Sequence, residues 1–264
     1  MRPDASTATD PPAHPLADLD AVEAELSQRS AQDIVRYALA QFGDDILLTT
    51  SFGVQAAVML HLVSRERPGV RVVFIDTGFH FQETYRFADA LEQRLDIDLR
   101  TYQPRLSPSW FVSRHGNLWE TDIDRYDRMR KVEPMDRALD ELAPRATFAG
   151  LRKAQTDNRA GMRHIEPATD PGTRNGTAAP PRYKVCPILR WTTKDVFQYL
   201  KAHDLPFHPL HDRGYASIGD WHSTRPIKAG EDERAGRFNG LKQECGLHLP
   251  GSDAEAASRA SSDL

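Results

Sequence analysis

DILLTTSFGVQAAVMLHLVSRE, residues 45–66, is the stretch that decides the fold class of this 264-residue chain. It opens on a short apolar run, Ile46-Leu47-Leu48, that breaks into the hydroxyl-rich turn Thr49-Thr50-Ser51-Phe52-Gly53. From Gly53 to Glu66 the apolar residues Val54, Ala57, Val58, Leu60 and Leu62 recur at helical spacing. A buried strand feeding directly into a helix is half of a βαβ unit. The other half follows at once, as the β-branched run VRVVFID at 70–76.

The same alternation continues outward. ETYRFADALEQRL (83–95) and TKDVFQYLKAH (193–203) read as helices, and DLRTYQ (98–103), ATFAGLR (146–152) and YKVCPIL (183–189) as strands. Upstream, residues 17–41 carry apolar positions at helical spacing, and Ser30 with Asp33 opens the second of two helices there as a capping box. Strands separated by helices of this length predict an α/β protein with a mostly parallel sheet flanked by helices. Three divisions follow: a disordered N-terminus at 1–15, an α/β nucleotide-binding domain at 16–225, and a C-terminal segment with a disordered tail at 226–264. EPATDPGTRNGTAAPPR (166–182) has the composition of a mobile loop inserted in the domain.

Composition narrows the function classes. With 34 Lys and Arg against 38 Asp and Glu the net charge is −4, which argues against bulk binding to nucleic acid or an anionic membrane. A small anionic ligand is still compatible, because it needs only a local cluster of cations. No apolar run approaches the roughly 18 residues of a membrane span. The opening residues lack the apolar core of a secretory signal, so a cytoplasmic location is expected. The 2 cysteines are too few for a disulfide framework. The histidines His203, His208, His211 and His222 do not form a metal set either: Pro209 separates His208 from His211, and no third ligand stands at a usual distance.

In a sheet of this kind ligands sit beyond the carboxyl ends of the strands. Three strand exits are candidates. Ser51, Phe52, Gly53 and Gln55 run into a helix whose N–H groups and dipole suit a phosphate. Asp76, Thr77 and Gly78 end the second strand, and Gly150 with Arg152 follows the fourth. Cys245 lies in Lys242-Gln243-Glu244-Cys245-Gly246-Leu247-His248, with Arg234 and Arg237 upstream. Cations lower a thiol's pKa and make it nucleophilic, although Glu244 opposes this and a buried structural role is the alternative. Cys186, inside Val185-Cys186-Pro187-Ile188-Leu189, reads as core.

Taken together, TTSFGVQAAV (49–58), DTGFHFQETYRF (76–87), KVEPMDRAL (131–139), FAGLRKAQTDNRA (148–160), GYASIGDWHSTR (214–225) and ECGLH (244–248) resemble the thioredoxin-dependent phosphoadenylyl-sulfate reductases. The resemblance runs from about Ser30 to His248. It implies the adenine-nucleotide α-hydrolase-like fold and a reduction of 3′-phosphoadenylyl sulfate to sulfite, with thioredoxin or glutaredoxin as reductant. It also implies a homodimer. Cys245 becomes the nucleophile, and Lys131, Arg159, Arg234 and Arg237 become ligands of sulfate and phosphate, with His248 beside them. If the 234–237 segment is helical, Arg234 and Arg237 share a face.

Two departures refine the expectation. ATP pyrophosphatases of this fold carry SGGxDS where this chain has Ser51-Phe52-Gly53-Val54-Gln55. Sister enzymes that reduce adenylyl sulfate hold an iron–sulfur cluster on two cysteine pairs, whose places fall here at Tyr126, Asp127, Asp220 and Ser223. With Cys186 and Cys245 as the only two cysteines, such a four-cysteine cluster cannot form within this chain. Neutral Val54 and Gln55, where the cluster-bearing relatives often have acidic residues, favour a substrate with a 3′-phosphate. An adenylyl-sulfate reductase, an ATP pyrophosphatase and a non-catalytic nucleotide-binding protein are the alternatives.

Overall fold

The computed structural model describes residues 16, 18–156, 159–168, 173–174, 177–178, 182–228 and 230–238. Its centre is the predicted strand–helix unit. Strand β1 (Ile46–Thr50) buries its three apolar residues and leaves Thr49 and Thr50 half-buried at its carboxyl end. Helix α3 (Ala56–Glu66) then buries Ala57, Val58, Met59, Leu60, Leu62 and Val63 in the main core. Before them, α1 (Leu19–Leu26) and α2 (Ala31–Phe42) bracket Ser30. Ser30 caps α2 by accepting the Asp33 N–H at 3.1 Å, and its hydroxyl donates to the Asp33 carboxylate at 2.6 Å.

Strands β2 (Val70–Ile75) and β3 (Ile97–Tyr102) extend the sheet on one side of β1, with α4 (Gln82–Arg94) as their crossover. The chain then returns past β1, and β4 (Ala146–Phe148) pairs with it on the other side. The order is β3-β2-β1-β4-β8-β5, parallel throughout except for edge strand β5 (Ile165–Pro167), which runs antiparallel to β8 (Tyr183–Val185). Strand order therefore reverses between β1 and β4, where an open parallel sheet offers a crevice at the strands' carboxyl ends. Helix α9 (Thr193–Ala202) closes the regular elements. No helix among the described residues is long and apolar enough to cross a membrane.

The structure departs from the sequence reading in three places. First, β4 and β8 are three residues each: the expected continuation of β4 leaves the sheet as a loop whose Ala149, Gly150 and Leu151 line the crevice, and that of β8 leaves it as a turn through Leu189. Second, the segment 166–182 begins within β5, and Thr173–Arg174 (β6) pairs with Thr177–Ala178 (β7) as a separate two-stranded ribbon. Third, the connection from β3 to β4 is a helical module: α5 (Pro108–His115), α6 (Leu118–Thr121), α7 (Ile123–Asp127), a π-turn at Arg128–Val132, and α8 (Glu133–Leu142). Except for α8, its pieces are too short to show an apolar period of their own. Helices α5 to α7 are held by a second core in which Phe111, Leu118 and Tyr126 pack with Phe79 and Phe238 from distant parts of the chain, and α8 packs through Met135, Ala138 and Leu142 against Leu47, Val73 and Ile75 of the sheet.

Leu48 is fully buried in β1, the strand on which the sheet's two halves meet. Leu48→Ala is expected to destabilise by about 2–5 kcal/mol through lost burial and a cavity. Ser30→Ala should cost about 1 kcal/mol through the lost cap. Urea midpoints at an unchanged m-value check both; equal effects would contradict this division of the load.

Candidate active site

The crevice at the switch between β1 and β4 is lined from every exit the sequence singled out. Ser51, Gly53 and Gln55 follow β1, Thr77 follows β2, and Gly150 follows β4. Phe52 sits in the left-handed region, at φ 48°, which reverses the chain so that Gly53 to Gln55 lead into α3. A non-glycine residue there costs roughly 1–3 kcal/mol and is repaid by packing. Its ring meets Phe74 edge-on at 5.0 Å in the main core. Phe52 thus shapes the turn, and its side chain does not line the crevice as expected. Gln55 takes the N-cap position of α3 without a side-chain bond back to the helix, so the helix's positive end faces the crevice.

Asp76 and Gly78 are also outside the lining. Burial alone would raise the Asp76 carboxyl, but bonds from Tyr85 (2.6 Å), Gln103 (2.8 Å) and the Gly78 N–H (2.8 Å) hold it below the usual carboxylate range. It is occupied in tying the β2 exit to α4 and β3. Gly78 has φ 73°, and a Cβ there would lie 2.6 Å from Pro108 Cγ, so its role is close packing against α5. Arg152 is likewise committed to protein partners: its Nε donates to Gln55 at 2.5 Å and its Nη2 to Glu233 at 2.9 Å.

The remaining expected cations do converge. Lys131 from the π-turn, Arg159, Arg234 and Arg237 all line the crevice. Arg234 does so from a turn and Arg237 from a β-bridge to Thr224, so the pair is not carried on a helix. Among the described lining residues a single carboxylate, Asp220, stands with these four cations. Gathering like charges in a partly dehydrated crevice is unfavourable until an anion neutralises them. The arrangement is therefore matched to a multiply charged anion, with the α3 N-terminus as a further donor.

Asp220 is fully buried, and it is the group the sequence reading missed as a site residue. It was the only acidic residue in GYASIGDWHSTR, which was the available signal. Thr77 Oγ1 donates to one of its oxygens, and Tyr126 OH (2.9 Å) and Lys131 Nζ (3.2 Å) reach the other. Lys131 also pairs with Asp127 at 2.7 Å. Although burial opposes ionisation, Lys131, His80 and the Thr77 hydroxyl hold the carboxyl far below its ordinary range. His222 is pulled down to about 4, mainly by burial, so it is neutral at pH 7. Tyr126 spends its only proton on Asp220, so the His222 Nε2–H donates to the phenol oxygen at 3.0 Å. Tyr126, Asp127, Asp220 and Ser223, the four positions singled out above from separate motifs, thus lie in one place: the Ser223 hydroxyl donates to the Asp220 carbonyl at 3.3 Å.

Cys186 is buried and its thiol is pushed up to about 12 by desolvation, so it is no nucleophile at neutral pH. Cys245 and His248 lie outside the described residues. No group of three His, Cys, Asp or Glu side chains suited to a metal ion occurs among the described residues.

The Asp220 network yields a pH signature. A carboxyl depressed in the fold adds stability above its unfolded value of about 3.9, and this is lost as pH falls toward the folded value. Asp220→Asn should therefore destabilise by about 1.5–3 kcal/mol at pH 7 by removing the charge that Lys131, Tyr126 and Thr77 meet, Lys131 keeping its pair with Asp127. The gap to the parent should narrow below about pH 4. Urea unfolding across pH 3–7 measures it, and a gap independent of pH would show that the charge is not what matters.

The comparisons with known proteins agree with this geometry. A family model described as the phosphoadenosine phosphosulfate reductase domain matches residues 45–226. A phosphoadenosine 5′-phosphosulfate reductase of a Synechococcus species is 48% identical over 239 residues, covering 89% of this chain and 98% of that protein. One from Xanthomonas oryzae pv. oryzae is 48% identical over 236 residues, covering 88% and 93%. The crystal structure of the phosphoadenylyl-sulfate reductase from Candida auris, a phosphate complex, superposes with a TM-score of 0.67 at 34% identity, over 78% of this chain and 96% of that one. An FMN adenylyltransferase from Candida glabrata, at 13% identity and a TM-score of 0.57, shares the fold alone. By sequence along most of its length and by the architecture around its crevice, the chain belongs to the phosphoadenosine phosphosulfate reductase family.

Proposed function

We propose that this protein reduces 3′-phosphoadenylyl sulfate to sulfite and adenosine 3′,5′-bisphosphate in assimilatory sulfate reduction. The observation that carries the reading is the convergence of Lys131, Arg159, Arg234 and Arg237 on a crevice at the α3 N-terminus, in a chain of this family. A nucleotide bearing a 3′-phosphate and a phosphate–sulfate anhydride is an anion of the charge those groups can neutralise. Val54 and Gln55 add no carboxylate to repel it. The crystal structure of the Candida auris relative is a phosphate complex, which is in keeping with a protein that binds phosphate-bearing anions.

In the proposed reaction the Cys245 thiolate attacks the substrate's sulfur. The sulfur–oxygen bond to phosphate breaks, its electron pair leaves with the nucleotide, and S-sulfocysteine remains. The four cations stabilise the charge crowding that transition state. A reduced dithiol protein, thioredoxin or glutaredoxin, then attacks Cys245 Sγ and expels sulfite with the bonding pair. Its second thiol releases Cys245 and completes the disulfide, so two electrons reduce the sulfur and no second cysteine of this chain is needed. The resemblance supports a cytoplasmic homodimer as the working form.

Sulfite release with reduced thioredoxin tests the reading directly. The expected result is turnover of 3′-phosphoadenylyl sulfate and its abolition in Cys245→Ser. Arg237→Ala should raise KM or lower kcat/KM by about 10–150-fold, the cost of one charge-assisted bond of about 1.5–3 kcal/mol. Preference for adenylyl sulfate would keep the chemistry and overturn the substrate. Absence of sulfite from either substrate would overturn both.

A further inference from the structure

The carboxylate of Glu233 sits between two elements that the chain reaches 40 and 81 residues earlier. It accepts from Thr193 Oγ1, at the first residue of α9, and from Arg152 Nη2 at 2.9 Å, beyond the end of β4. Arg152 is buried, 3% exposed, and its other nitrogens are committed as well. Nε donates to Gln55, the N-cap residue of α3, at 2.5 Å, and Nη1 reaches the Trp191 carbonyl at 3.4 Å and Thr193 Oγ1 at 3.3 Å. A guanidinium engaged on all three nitrogens by the protein is a structural clamp more than an open hand for a ligand.

What this clamp holds is the segment carrying Arg234 and Arg237, and that segment is fitted with little tolerance. A Cβ on Gly236 would fall 2.3 Å from the Arg225 carbonyl oxygen, because the two backbones touch there, with Arg225 N–H donating to Gly236 O at 3.0 Å. A Cβ on Gly219 would fall 1.6 Å from Arg237 Nη1, so the guanidinium occupies the space a side chain would take. The same nitrogen donates to Thr224 Oγ1 at 3.1 Å. The Arg237 guanidinium lies directly against Gly219, and Glu233 is the anchor four residues before it.

We propose that Glu233 and Arg152 form a latch that positions Arg234 and Arg237 in the crevice, so that Arg152 serves the anion through this segment and is not itself a ligand. The inference rests on the crevice binding a phosphorylated adenine nucleotide, as proposed above. It makes the α3 N-cap, the β4 exit and the anion-binding segment one mechanical unit: Gln55, Arg152 and Glu233 are joined in series by two hydrogen-bonded contacts.

A double-mutant cycle separates a latch from a ligand. Binding of adenosine 3′,5′-bisphosphate is measured by calorimetry for the parent, Arg152→Gln, Glu233→Gln and the double variant, with KM and kcat for sulfite release alongside. Two residues acting as one unit should each weaken binding about 10-fold, and the double variant should lose no more than either single one. Losses that multiply to about 100-fold would overturn the latch and make Arg152 a direct ligand. Parent-like binding by Glu233→Gln would overturn it as well.

A second readout does not depend on the ligand. Trypsin cleavage after Lys228 and Arg234 should accelerate about 10-fold in Glu233→Gln, and in Arg152→Gln if that buried change still folds. Unchanged cleavage in Glu233→Gln overturns the latch even if the bisphosphate binds. Faster cleavage in a protein whose parent does not bind the bisphosphate would sustain the latch and overturn the functional reading instead.

Discussion

One ionised carboxylate, fully out of water, organises the site end of this molecule. Asp220 is tolerable there only because a lysine and two hydroxyls meet it: Lys131 from the helical module, Tyr126 from the same module, and Thr77 from the β2 exit. None of those partners is near it in sequence, so the network forms only when the sheet, the module between β3 and β4, and the 214–225 loop are all assembled. The π-turn at Arg128–Val132 is part of the same arrangement. One extra residue in the helical register brings Arg130 and Lys131 inward together. Arg130 then holds the Leu106 carbonyl at 2.6 Å and bonds the Thr77 carbonyl, clamping the β2 exit from its other side.

The charge of the crevice follows from this arrangement. Lys131 is oriented by Asp127 and Asp220 before any ligand arrives, so little side-chain entropy remains to be lost on binding. Arg237 is held by Thr224 and seated over Gly219 in the same way. Preorganised cations in a partly dry site act on a developing negative charge more strongly than mobile ones in water. Net charge conceals all of this: the chain carries −4 overall, while among the described residues its crevice gathers four cations around one engaged carboxylate.

The helical module shows the cost of reading locally. Its pieces are four to ten residues long; the apolar residues that fix α5 to α7 belong to a core shared with Phe79 and Phe238, and α8 packs on β1 and β2 through Ala138. A hydrophobic period cannot be seen in pieces as short as α6 and α7. The resemblance of KVEPMDRAL to a family motif marked Lys131 as functional, yet nothing in that motif shows a π-turn or the partners that aim the side chain.

The sequence alone determined the α/β class, the strand–helix unit at 45–66, the cap at Ser30, the burial of Cys186 and the residue types that line the crevice, including Ser51, Gly53, Gln55, Thr77, Gly150 and the four cations. These are legible because strand exits, caps and apolar periods are local, and because a family motif preserves which residues matter. Only the tertiary structure decided their roles. Phe52 turned out to be core, Asp76 and Gly78 to order a turn, and Arg152 to hold a neighbouring segment, while Asp220 emerged at the centre. A side chain's chemistry is set by what the fold places within about 3–4 Å of it. For Arg152 and Asp220 the deciding partners, Gln55 and Glu233 for the one and Thr77, Tyr126 and Lys131 for the other, are distant in sequence, where no local pattern reaches.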